Sequence, residues 1–273
     1  METVRLNNGV TIPLLGYGTY QLPQSTGPEL LEEAIKLGYR HFDSAQEYQT
    51  EAAVGEAIRH SQLARDQFFV TTKSWMDGYQ ATLDGIDESL ERFGFDYFDL
   101  ILIHWPKSHP LDSYLALEKI YQEGKARAIG VSNFNSRQLD ELLANSSVIP
   151  VINQIETHLL WSQTRMAKYL HEHQIAHESW SPLGASHLKE MIKIPLVQTI
   201  ARQHHVKPTQ VLLRYLTQQG IVTIPMTTNH QHLVDNLSSL DFDLSTAELA
   251  SLRQFDRGLQ SMHWPSWMRE DAY

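Results

Sequence analysis

The sequence predicts an α/β fold in which eight strands alternate with helices, arranged as a (β/α)8 barrel or as an open doubly wound sheet. Two observations carry this prediction. Eight short apolar runs recur along the chain, and between most of them apolar residues repeat at helical spacing. Such alternation implies a parallel sheet, and eight units suffice to close one on itself. Periodicity alone does not separate the closed arrangement from the open one.

The elements follow in order. Val4-Arg5-Leu6 and Val10-Thr11-Ile12 flank Asn7-Asn8-Gly9, which reads as a hairpin. The Asn-Gly pair is expected to supply the positive φ angles of a tight turn. Pro13 then ends the second strand. The eight runs are Leu14 to Gly18, Tyr39 to Phe42, Phe68 to Thr72, Leu100 to Ile103, Ala128 to Val131, Val151 to Ile155, Ile175 to Trp180 and Ile221 to Ile224. Leu30, Leu31, Ala34, Ile35 and Leu37 share one helical face. So do Leu83, Ile86, Leu90 and Phe93, and so do Val211, Leu212, Tyr215 and Leu216. Ser136 and Pro208-Thr209 read as helix starts.

The 273 residues suit one barrel domain spanning 1–273, since no linker or low-complexity segment interrupts them. Hydrophobic residues make up 42% and charged residues 20%, enough to bury a full core. A net charge of −10 carries no basic stripe for nucleic acid. With no cysteine, disulfides, thiolate nucleophiles and zinc-thiolate sites are excluded. The N-terminus lacks an apolar signal region, and no apolar run approaches the ~20 residues of a membrane span. A cytoplasmic monomer without membrane or nucleic-acid partners is expected.

In a barrel of this kind the C-terminal strand ends build the active site. Polar residues collect there. Asp43 follows the second run, with Tyr48 in the loop beyond; Lys73 follows the third; His104 and Trp105 follow the fourth. Ser132 and Asn133 follow the fifth. The sixth carries Asn153, Gln154 and Glu156, with His158 beyond, and the seventh ends at Trp180 and Ser181. A lysine at such a place needs a partner, because an unpaired buried charge costs several kcal/mol. Asp43 is that partner. An ammonium within reach of a phenol stabilises the phenolate, so Lys73 is expected to make Tyr48 a better acid than its ordinary pKa of ~10 allows. Tyr48 would then protonate a carbonyl oxygen while His104 orients it. Each residue alone reads more readily as structural; together they read as a site.

The same residues resemble the aldo-keto reductase family over essentially the whole chain. The matching pieces are Leu6 to Val10, Gly16 to Thr19, Gly38 to Ala45, Glu51 to Gly55, Thr71 to Trp75, Asp99 to Pro106, Gly130 to Phe134, Asn153 to Glu156 and Ser179 to Leu183. The run from Glu178 to Leu183 is most similar to the bacterial 2,5-diketogluconate reductase branch. The resemblance implies a barrel whose bottom is plugged by the N-terminal hairpin. It implies Asp43, Tyr48, Lys73 and His104 as a catalytic tetrad and an extended NADP(H) or NAD(H) across the mouth. By the same resemblance Gly18, Thr19, Asp43, Ser132, Asn133, Gln154, Trp180, Ser181 and Leu183 meet the cofactor, with Trp180 stacked on the nicotinamide. Thr227, Thr228, His232, Asp235 and Asn236 would meet its adenosine end. The implied reaction is hydride transfer from NAD(P)H to small aldehydes, ketones or keto-sugars, giving alcohols.

One stretch departs from the family pattern. The lysine and arginine that usually clamp the 2′-phosphate are replaced by Met226 and His232. Methionine carries no charge and neutral imidazole little, so NADH is expected to serve alongside NADPH. Tyr20, Trp75, Trp105 and Trp161 read as aromatic pocket walls for a small carbonyl substrate. The aromatic tail Met262 to Trp267 reads as a cover over the mouth or a dimer contact. His171, His173 and His177 lack metal-site spacing, and no metal is expected. Two other readings remain: a glycoside hydrolase using Asp43 and Glu156, which leaves Tyr48 and Lys73 idle, and a cofactor-binding redox sensor without turnover.

Overall fold

A computed structural model describes residues 2–262. Strands β1 (Thr3–Arg5) and β2 (Thr11–Pro13) pair antiparallel, with Val4 opposite Ile12. Eight more strands follow: β3 (Tyr17–Gly18), β4 (His41–Asp43), β5 (Phe69–Ser74), β6 (Leu100–Ile103), β7 (Ile129–Ser132), β8 (Ile152–Glu156), β9 (Ala176–Trp180) and β10 (Val222–Thr223). They pair in sequential order and all in parallel. The sheet closes just before β3, where Leu15 bridges to Thr223 and the Gly16 amide donates to the Thr223 carbonyl at 2.8 Å. A closed barrel, not an open sheet, is the result.

The seam explains the Gly16-x-Gly18 pair. A Cβ on Gly18 would sit 2.7 Å from the Ile224 carbonyl oxygen, and one on Gly16 would meet the His41 ring at 2.5 Å. Strands this close leave room for glycine alone.

The hairpin turn is tight, with the Gly9 amide donating to the Leu6 carbonyl at 2.9 Å, but its backbone differs from the one expected of an Asn-Gly pair. Gly9 alone is left-handed, at φ +88°, while Asn7 and Asn8 keep negative φ. The Asn7 amide donates to the Pro150 carbonyl at 3.1 Å and the Asn8 amide to the Arg127 carbonyl at 3.0 Å. The asparagines thus form the turn and also pin the hairpin to the barrel. Behind them Leu6, Ile12 and Leu14 pack on Phe69, Leu100, Ala128, Val151 and Val222, which lie at or near the strand starts. The bottom of the barrel is filled and the other end carries the site.

The helical stripes fold as read, in helices Gly27–Leu37, Tyr79–Phe93 and Pro208–Thr217. Their apolar faces fill the layer between strands and helices. The helix Ser136–Asn145 starts at the Ser136 signal, and its cap is the residue before. Asn135 caps it, accepting from the Gln138 amide at 2.9 Å while the Gln138 side chain accepts from Asn135 N–H at 3.1 Å. No described helix is long and apolar enough to cross a membrane.

Candidate active site

A cavity of about 600 Å³ opens at the C-terminal ends of the strands. Asp43, Tyr48, His104, Ser132, Asn133, Gln154 and Trp180 line its floor and walls, and Tyr20, Trp75 and Trp105 its upper sides. Lys73 lies fully buried in β5, beneath this surface.

The ordering of these groups follows from strand geometry. β4 and β5 are neighbours, so Asp43 and Lys73 project from adjacent strands into the barrel, and Lys73 Nζ donates to Asp43 Oδ1. It also donates to the Ser44 carbonyl at 3.0 Å. Tyr48 ends the short 3₁₀ turn Gln46–Tyr48, which brings its ring back over the mouth, 4.8 Å from Lys73 Nζ. Its hydroxyl is 3.4 Å from His104 Nε2. The Tyr48 ring is flanked by Tyr20, and the His104 ring by Trp75.

The electrostatics correct one expectation. Lys73 does pull the Tyr48 phenol toward acidity, but burial pushes it up further, and the net direction is above its ordinary value. Burial is also the largest influence on Lys73 and would lower it; Asp43, Tyr48 and Glu178 outweigh that and hold the ammonium charged. Burial, then Lys73 and Lys107, depress His104 to about 2, so its imidazole is neutral at working pH.

Around this core the carboxamides interlock. Gln154 Nε2 donates to Asp43 Oδ2 at 2.8 Å and to Glu178 Oε2 at 3.0 Å. Asn133, left-handed at φ +65°, donates to the His104 carbonyl at 3.0 Å and accepts from Trp180 Nε1 at 2.9 Å. The Trp180 indole is thereby held by its ring nitrogen, and the residue lines the cavity. Ser132 Oγ donates to the Gln154 carbonyl at 2.8 Å. Ser132, Asn133 and Gln154 commit their side-chain donors within the protein and keep acceptor lone pairs beside an aromatic residue, which suits the N–H groups of an aromatic carboxamide such as nicotinamide. Ser181 and Leu183 continue this wall.

Other expected residues lie elsewhere. Thr19 is fully buried, its hydroxyl against the Asp43 carbonyl at 2.9 Å, and does not line the cavity. Trp161 does not line it either; it sits in a bridged turn with His158. Glu156 is fully buried away from the cavity, taking the Ser261 amide at 2.7 Å and facing His158 at 3.2 Å. Met226 reaches the cavity wall. Thr227, Thr228, His232, Asp235 and Asn236 follow it on the adjoining loop and on helix His230–Leu237. Of the histidines considered for metal, His173 stacks on Tyr169 and His177 meets Thr157 Oγ1 at 2.7 Å. Met262 lines the cavity, while the rest of the aromatic tail lies outside the described residues.

Two groups were not singled out by the sequence reading. Glu47 lines the cavity and its carboxylate stands 3.9 Å from His104 Nδ1. Glu178 is fully buried beneath the cavity floor. Its strand parity with Trp180 was the available signal, since residues two apart in a strand share a face.

Comparison with known proteins agrees with this arrangement. Residues 14–257 match the model of the Aldo/keto reductase family. The chain is similar to glyoxal reductase of Bacillus subtilis, 40% identical over 91% of this chain and 90% of that one. It is equally similar to morphine 6-dehydrogenase of Pseudomonas putida, 40% identical over 94% and 92%. Its fold overlays a Bombyx mori aldo-keto reductase in complex with NADP, with a TM-score of 0.90, 33% identity and coverage of 97% and 96%.

Proposed function

Since the chain belongs to the aldo/keto reductase family, we propose that Tyr48, Lys73, Asp43 and His104 are the groups with which it performs that family's reaction. The protein is an NAD(P)H-dependent oxidoreductase acting on small carbonyl compounds. The observation that carries the residue assignment is the meeting of phenol, ammonium, carboxylate and neutral imidazole at one cavity beside the Trp180 indole.

The nicotinamide, when bound, supplies the hydride. Trp180 offers its ring a stacking face, and Ser132, Asn133 and Gln154 hold its carboxamide; Gly18, Ser181 and Leu183 flank the path onward. The substrate oxygen sits between Tyr48 Oη and His104 Nε2. His104, being neutral, donates a hydrogen bond from Nε2 and thereby orients the carbonyl. Tyr48 stays protonated through the neutral range because burial raises its pKa, so the proton is in place before reaction. An oxygen becoming an alkoxide is a far stronger base than a phenolate, and transfer from Tyr48 is therefore favourable. Lys73 stabilises the phenolate left behind, and Asp43 keeps Lys73 in position.

The cofactor choice follows from the adenosine end. Met226 and His232 stand where the charged 2′-phosphate clamp is usual, and the nearby cation Lys207 already pairs with Asp235 Oδ2 at 2.5 Å. Thr227 Oγ1 lies 3.4 Å from His232 Nδ1 and accepts from the Asn229 amide at 3.1 Å. We therefore read NADH as used at least comparably to NADPH. Each charged phosphate contact is worth about 1.5–3 kcal/mol, so Met226→Lys should raise the NADPH-to-NADH ratio of kcat/KM by about ten- to a hundredfold. A wild-type preference for NADPH above about a hundredfold would refute this reading.

The Glu178-Ser179-Trp180-Ser181-Pro182-Leu183 run supports placement in the 2,5-diketogluconate reductase-like branch, with keto-sugars among the substrates. The protein is further read as a single-domain monomer. Oxidation of NAD(P)H in the presence of methylglyoxal, a nitrobenzaldehyde and keto-sugars tests the substrate reading. Absence of turnover across that panel would favour the redox sensor.

A further inference from the structure

Beneath the cavity floor the barrel encloses two carboxyl groups and one ammonium. Asp43 and Lys73 form a contact pair. Glu178, on β9, is fully buried and lies directly across the ladder from Gln154 on β8. The Gln154 amide nitrogen donates to Asp43 and Glu178 alike, at 2.8 and 3.0 Å. The second Glu178 oxygen, Oε1, has no hydrogen-bond partner and stands 3.8 Å from His41 Nε2. Among the described residues no lysine or arginine pairs with Glu178.

The charges facing Glu178 can be named from each neighbouring strand. β4 supplies His41 and Asp43, β5 supplies Lys73, β8 supplies the neutral Gln154, and β10 supplies Val222 and Thr223. Lys73 is taken by Asp43. His41 is kept neutral, since burial depresses it to about 3. A second enclosed carboxylate without a cation costs several kcal/mol, and such a group takes up a proton instead. Burial and then Asp43 raise Glu178 to about 8, against the opposing pull of Gln154 and Lys73. Oε1 then faces His41 Nε2 at 3.8 Å, a nitrogen that also meets Thr71 Oγ1 at 3.4 Å.

Glu178 precedes Trp180 by two residues and shares its strand face, so it lies under the indole read above as the nicotinamide platform. We propose that Glu178 is a positioning residue whose buried proton sets the redox form of nicotinamide the site prefers. The neutral acid favours the uncharged, reduced ring, and the carboxylate favours the cationic, oxidised ring. This rests on the cofactor reading given above. By linkage the oxidised cofactor in turn eases release of the Glu178 proton to solvent.

The test compares wild type with Glu178→Gln, which keeps the shape and the acceptor for Gln154 but cannot ionise. NADP+ and NADPH are titrated by tryptophan fluorescence at about pH 6.5 and about pH 9.5. Phosphate titration is common to both and cancels in the ratio of their Kd values. In wild type the ratio should move toward the oxidised form by on the order of tenfold as pH rises, the size of one added charge at moderate effective dielectric. In the variant it should stay flat. A second readout needs neither cofactor nor variant. Infrared spectra of wild-type protein with 13C-labelled glutamate should show a carboxylic-acid band at about pH 6.5 that is lost at about pH 9.5, and the label excludes Asp43. Binding with an equal pH response in both proteins, or no acid band, overturns the inference alone. Failure of either dinucleotide to bind overturns the cofactor reading as well.

Discussion

Lys73 has no exposed surface, and a side chain of that kind is tolerated only because Asp43 meets it. On the proposed assignment the pair serves stability and chemistry together, and two substitutions separate these. Tyr48→Phe removes the proposed proton donor but no buried charge partner. It should lower kcat by at least about a hundredfold, with Tm and cofactor Kd little changed; retained turnover would refute the assigned acid. Lys73→Met leaves Asp43 as an unpaired buried carboxylate. It should lose activity and also about 3–5 kcal/mol of stability, the usual consequence of breaking a buried pair, which denaturant unfolding measures. A variant with low activity and unchanged stability would mean that Asp43 is not charged in the fold. At this scale residue types and order in the chain were enough to pick out Tyr48, Lys73, Asp43 and His104 as a group. They were not enough for the acidity of Tyr48, because burial, a property of the assembled barrel, outweighs the lysine beside it.

Elements place these groups through parity and neighbourhood. The strand runs were legible because apolar residues mark them, and their ends were legible because polar residues appear abruptly where the apolar run stops. Helix packing was less so. Gly55, in helix Glu51–His60, carries no turn and no unusual φ, and nothing in its local sequence demands glycine. A Cβ there would lie 1.9 Å from the Phe93 carbonyl oxygen at the end of helix Tyr79–Phe93. Gly55→Ala must push the two helices apart and should cost about 1–3 kcal/mol, read as a lowered Tm. The same substitution at Gly124, with open space around it but φ +76°, is strained by its backbone instead. The asparagines of the first hairpin make the same point from the other side. They occupy the turn that their local preference favours, and Pro150 and Arg127, far along the chain, engage their side chains as well.

Across the whole molecule, buried histidines set the acid limit. His41, His104 and His177 are depressed from 6.5 to about 3, 2 and 4, in each case chiefly by burial. The unfolded chain binds protons at these sites below about pH 6.5 while the folded chain does not. Their contribution is thus present above that pH and is lost as pH falls toward the folded values. Tm should decline steeply between about pH 6.5 and 4, and a flat profile there would mean that the imidazoles are hydrated in the fold. Glu178 acts in the opposite direction, since its folded value is raised: what it contributes at low pH is lost as pH rises through about 8.

Order along the chain determined the alternation of strands and helices, the strand ends at which polar groups gather, and the absence of a fixed positive charge at Met226 and His232. These are local or periodic properties, written in consecutive residues. Only the tertiary structure decided that the sheet closes at the Gly16 and Gly18 seam, that the Tyr48 phenol and the His104 imidazole stay uncharged, and that Glu178 faces Asp43 across a shared amide. Each depends on how far water is excluded and on which distant side chain comes within a few ångströms, and neither quantity is carried by neighbouring letters.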